Sequence, residues 1–171
     1  MIDFFAKNAS MTKRVTGIAK LKGVPEIHPR VPFKPTRLAT FKDENDEEDK
    51  IVSILLEVAS TAEERRRGMM GRDRLLPICG MLFDGLSGGG YFWMKDCLIP
   101  LDVIFMDKDG LVTKTYSMPV DKAGKKRYEY DDSDASAIEV NEGFCDKHGI
   151  VKGVKVSISE LKKEQSDGSD V

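Results

Sequence analysis

Leu98-Ile99-Pro100-Leu101-Asp102-Val103-Ile104-Phe105-Met106, then Asp107-Lys108-Asp109-Gly110, then Leu111-Val112-Thr113-Lys114-Thr115-Tyr116-Ser117-Met118 spells a β-hairpin. The first run is apolar and rich in β-branched and aromatic side chains. The middle four residues form a turn in which Gly110 supplies the left-handed position. The last run returns as the partner strand. Upstream, Ile51–Ala59 alternates, with Val52, Ile54, Leu56 and Val58 on one face and Ser53 and Glu57 on the other, as in a half-buried strand. Downstream, Ala135–Val140 and Val154–Ser159 are two more short strands, with Cys145–Gly149 as one helical turn between them. Thr61-Ala62-Glu63-Glu64 has capping-box spacing and predicts a short helix from Ala62 to Arg67, stopped by Gly68.

The fold class that follows is α+β. It is a small, mainly antiparallel β domain, curled toward a barrel, with one or two short helices. The regular strand–helix alternation of a parallel α/β sheet is missing. Residues 121–134 are charged and loop-like, and Ser87-Gly88-Gly89-Gly90 is a glycine-rich loop.

The chain has 171 residues and a formal charge of −2, unevenly distributed. Residues 1–42 hold nine Lys/Arg against Asp3 and Glu26, a net +7, so residues 43–171 carry −9. Pro25, Pro29, Pro32 and Pro35 favour an extended backbone over residues 24–37. The expected organisation is a basic, extended arm (1–42), an acidic linker (43–50), a β-rich domain (51–159) and a polar tail (160–171). The arm's apolar and basic residues Val24, Ile27, Arg30, Val31, Phe33, Lys34, Arg37 and Phe41 suit it to lie on another protein chain. Its charges are spaced rather than clustered, which fits a protein partner better than nucleic acid. No apolar run nears the ~20 residues of a membrane helix, and Met1–Phe5 lacks the pattern of a secretory signal. A cytoplasmic location is expected, or a virion if a phage encodes the chain.

Three segments resemble the family called domain of unknown function 192. They are Glu64-Arg65-Arg66-Arg67-Gly68-Met69-Met70-Gly71-Arg72, Gly80-Met81-Leu82-Phe83, and the most specific, Phe92-Trp93-Met94-Lys95-Asp96-Cys97-Leu98-Ile99-Pro100-Leu101-Asp102-Val103-Ile104-Phe105. A fourth piece, Ala137–Gly143 with Gly149-Ile150 and Gly153, follows in the same order. The resemblance spans residues 51–159 and implies a small, largely β protein of a family for which no general activity is established. Asp96-Cys97 stands where the family usually has Asn-Thr, and Gly153-Val154 where it often has Gly-Asp.

Asp102 and Glu139 each have apolar strand neighbours. Buried together they could do acid–base work; alternatively each faces outward or pairs with an arginine such as Arg72. Trp93, with Phe92 and Met94, could line an apolar pocket, but such residues are more often core, and Trp93 and Phe105 are both expected there. Three cysteines without paired spacing, Cys79, Cys97 and Cys145, read as reduced thiols. Cys145 with His148 is too weak a pattern for zinc, so no metal and no cofactor is expected. Two functions stand side by side. One is a non-enzymatic structural or interaction protein, tied into a larger assembly such as a phage particle by its arm. The other is a small enzyme or ligand-binding protein with a polar site at Arg72, Trp93, Lys95, Asp102 and Glu139.

Overall fold

The computed structural model describes residues 33–43 and 50–161. Its elements are β1 (Arg37–Lys42), β2 (Ile51–Ala59), α1 (Ala62–Arg67), β3 (Cys79–Asp84), β4 (Gly90–Phe92), β5 (Leu101–Met106), β6 (Val112–Met118), β7 (Tyr128–Tyr130), β8 (Ser136–Asn141), α2 (Phe144–His148) and β9 (Lys155–Glu160). Seven strands make one sheet in the order β6-β5-β8-β3-β2-β1-β9, and β4 pairs with β7 as a separate ribbon. All pairings are antiparallel except β2 with β3, which α1 and the loop after it connect.

The sheet curls until its two ends meet. Leu111 bridges Lys155, the Val112 amide donates to the Val154 carbonyl at 2.9 Å, and the Val156 amide to Gly110 at 2.8 Å. These bonds tie the start of β6 to the start of β9 and leave the rest of both strands as sheet edges. The concave face carries Phe41, Ile54, Leu56, Leu82, Ile104, Ile138, Val140 and Val156, closed at one end by Phe144 of α2. The convex face of β3, β5 and β8 is also apolar. Its Met81, Phe83, Val103 and Phe105 lie beneath Phe92 and Tyr128 of the β4–β7 ribbon. All six residues of β5 are therefore buried, which explains why its run is apolar at every position but Asp102.

The hairpin, the alternating strand and the capped helix form as their residues predict. Gly110 has φ +77°, and Asp107 Oδ1 accepts from the amides of Asp109 and Leu111, both at 2.9 Å. Strands β3, β4 and β7 were not expected. β4 and β7 are only three residues long, too short for periodicity to register.

The domain boundary and the arm need correction. Arg37–Lys42 is not an arm beside the domain but a strand inside it, paired along its length with β2 on one side and β9 on the other. Phe41 is 1% exposed and Ala39 is fully buried. Phe33 and Lys34 lead into this strand, and the Lys34 amide donates to Glu57 Oε1 at 2.6 Å. The folded unit thus starts before residue 37, not at Ile51, and Glu160 belongs to β9 rather than to a tail. Val24, Ile27, Arg30 and Val31 lie outside the described residues, as do 44–49 of the acidic linker and 162–171 of the tail. Among the described residues no helix is long and apolar enough to cross a membrane.

Candidate functional site

A cleft of 470 Å³ opens on the convex side, between α1 and the β4–β7 ribbon. α1 is held by its capping box. The Glu64 amide donates to Thr61 Oγ1 at 3.1 Å, and the Thr61 amide donates to Glu64 Oε2 at 2.8 Å. This sets Arg65, Arg66 and Arg67 in the last turn, where they line the cleft. Arg65 is tethered through Nη1 to the Asp84 carbonyl at 2.9 Å, while Arg66 and Arg67 are exposed. Gly68 then ends the helix with φ +45°. A Cβ there would stand 3.3 Å from Phe83 Cζ, so this turn packs directly on β3.

The opposite wall is aromatic: Tyr91, Phe92 and Trp93 from β4 and its exit, and Tyr130 from β7. Phe92 fixes it, with edge contacts to Phe83 at 4.9 Å and to Phe105 at 5.3 Å between ring centroids. The Arg127 guanidinium sits 4.6 Å from the Tyr91 ring and 5.0 Å from the Trp93 ring, and Lys95 Nζ is 5.4 Å from Trp93. Cations over both rings hold them in place and make the wall electropositive. Trp93 is therefore half-buried cleft wall and not core, contrary to expectation; Phe105 is core, fully buried.

Glu139 and Cys97 also line the cleft. Glu139 lies in β8 between Met81 of β3 and Val103 of β5, and is 4% exposed. Its Oε2 has no hydrogen-bond partner. Burial raises its carboxyl from the usual 4.5 to about 8, partly offset by the positive charge of Arg72. Arg72 is itself buried and committed to Glu57, with Nη2 2.5 Å from Oε2, so it does not neutralise Glu139 by direct pairing. Burial likewise pushes the Cys97 thiol up to about 12, with Glu139 and Asp96 adding to the effect.

The structure gathers Trp93 and Glu139 at one cleft, with Arg72 close enough to act on Glu139 electrostatically. It separates the other two candidates. Lys95 is exposed and reaches the Trp93 ring, but is not among the residues that line the cleft. Asp102 is buried but faces the other side of the sheet, since it pairs with Val140 while Glu139 pairs with Val103. Asp102 and Glu139 are thus no acid–base pair. Asp102 Oδ2 instead accepts from the Cys145 amide at 3.0 Å and caps α2, whose own N-cap, Gly143, has no side chain to do so. Cys145 and His148 sit on that helix, and among the described residues no group of three or more His, Cys, Asp or Glu could hold a metal ion. Sequence reasoning missed Arg65–Arg67, Tyr91, Arg127 and Tyr130 as site residues. Only the arginine triplet at the end of a capped helix gave a signal.

Asp96 has φ +57°, a left-handed conformation that Asn and Asp tolerate best among non-glycine residues. Its carbonyl accepts from the Gly71 amide at 3.0 Å, tying the loop after α1 to the loop before β5. The change from the family's usual Asn at this position thus keeps a residue suited to the turn.

Two solved structures share the fold. One, "a putative transcription regulator" from Sinorhizobium meliloti 1021, aligns with TM-score 0.64 and 23% identity over 74% of this chain and 95% of its own. The other, a protein of unknown function from Novosphingobium aromaticivorans DSM 12444, aligns with TM-score 0.67 and 22% identity over 88% of this chain and 99% of its own. No curated protein matches the sequence. The family model for domain of unknown function 192, described as "Uncharacterized ACR", matches residues 43–158, and the chain belongs to that family.

Proposed function

We propose that this domain is a ligand-binding module whose cleft receives a small anion with a planar apolar part. The observation that carries this reading is the cleft's two-sided construction, with the arginine turn of α1 facing the Tyr91–Trp93–Tyr130 wall across 470 Å³. Guanidinium groups bind carboxylates and phosphates through paired donors, and aromatic faces bind planar groups. A pocket of this size that combines aromatic and charged walls with one perturbed carboxyl is a candidate small-molecule site.

Trp93 is the chain's single tryptophan, so its fluorescence reports on the cleft directly. Titration with benzoate should change that fluorescence and give heat in calorimetry, while benzylamine, of the same shape and opposite charge, should not bind. The double variant Arg66→Glu, Arg67→Glu should weaken benzoate at least tenfold. Equal binding of both probes, or of neither, would count against the reading.

Assembly through the N-terminal region, in a virion or elsewhere, is a second reading, supported by the net +4 of residues 1–32 against the −6 of residues 33–171. Removing residues 1–32 should then abolish association with partner chains and leave benzoate binding intact.

A further inference from the structure

Resting on that cleft reading, we propose that Glu139 is the cleft's proton-bearing donor: its neutral carboxyl hydrogen-bonds an oxygen of the bound anion, which makes the ligand class a carboxylate. Three observations meet at this residue. The residue borders the cleft, and its Oε2 is buried and lacks any partner, although a buried polar atom ordinarily has one. Its flanking strand neighbours, Met81 and Val103, offer neither charge nor hydrogen bond. The nearby cation, Arg72, is taken by Glu57.

The charged and titratable groups that act on this position are few. Arg72, from the loop after α1, favours the ionised form, and Glu57 of β2 holds Arg72. Cys97, from the loop before β5, stays a thiol until far above neutral pH. The arginines of α1 and Tyr130 of β7 line the same cleft. Burial outweighs Arg72 and keeps the proton on Glu139 at neutral pH. A neutral carboxyl facing a carboxylate shares its proton between the two oxygens, a short and strong arrangement. An ionised Glu139 would instead repel the ligand. The arginines would thus draw the anion in, and Glu139 would admit it only while protonated. The same site would reject a cation, which finds no acceptor charge on the cleft floor.

The test uses the full chain and two readouts. The infrared difference spectrum of wild type minus Glu139→Gln should show a protonated carboxyl at neutral pH that ionises near pH 8. Calorimetric affinity for benzoate should fall about tenfold per pH unit above that point in wild type, and stay flat in Glu139→Gln, whose amide still donates. An ionised Glu139 at neutral pH overturns the proposal without a ligand and leaves the cleft reading standing. So does benzoate binding with the same pH profile in both proteins. No benzoate binding to wild type at any pH overturns both the proposal and the cleft reading.

Discussion

At the scale of single residues, burial and chemistry conflict at Glu139 and agree at Phe105. In the unfolded chain the Glu139 carboxyl titrates near 4.5, and in the fold it holds its proton to about 8. Between these values the unfolded state binds fewer protons than the folded one, so stability from this group falls as pH rises through that window. It is fully lost above about pH 8. Glu139→Gln should remove the dependence. Its melting temperature should exceed that of wild type increasingly from pH 5 to pH 8, as thermal scans across that range would show. Trp93 and Phe105 separate on the same grounds. Phe105→Ala empties a fully buried site and should cost about 3–5 kcal/mol in urea unfolding. Trp93→Ala removes a half-buried wall and should cost well under half of that, while benzoate binding is lost.

Among the elements, β1 is the one whose role differs most from its sequence. It lies between β2 and β9, and without it β9 has no partner along its length. The Thr36 amide bonds the Leu56 carbonyl at 2.9 Å, and the Leu161 amide bonds the Thr36 carbonyl at 3.1 Å, which extends the pairing by a residue on each side. Deleting residues 1–42 should therefore unfold or aggregate the protein, whereas deleting residues 1–32 should leave its circular dichroism and melting temperature close to those of the full chain. A folded, cooperative 43–171 fragment would show that β1 is dispensable. α1 illustrates the opposite case. It buries none of its residues and depends on local bonds, which is why its limits could be predicted from Thr61, Glu64 and Gly68 alone.

For the whole molecule, two apolar layers share one sheet, with Cys145 in one and Cys97 in the other. Cys79, Cys97 and Cys145 are free and buried. Burial pushes the thiols of Cys79 and Cys97 up to about 12 and that of Cys145 higher still, so almost no thiolate is present at neutral pH. Reaction with an aromatic disulfide reagent should be slow in the native protein and should follow global unfolding as urea is added. Rapid labelling of one thiol in buffer would show that its layer opens locally. Cys97 would be the one to examine, because it borders the cleft.

The sequence by itself determined whatever depends on near neighbours in the chain. The hairpin at Gly110, the alternation of β2, the capped α1 and the family segments were all readable, because turn geometry, strand period and capping act over a few residues. The α+β class and the curled sheet followed from the number and spacing of those pieces. The tertiary structure alone decided which face each side chain takes and what stands opposite it. Arg37–Lys42 looked like part of a basic, proline-rich leader, and only pairing with β2 and with β9, more than a hundred residues away, makes it a buried strand. Asp102 and Glu139 looked alike in sequence. A register that sets Val103 beside Glu139 puts them on opposite sides of the sheet, so that one caps a helix and the other borders a cleft with an oxygen left without a hydrogen-bond partner.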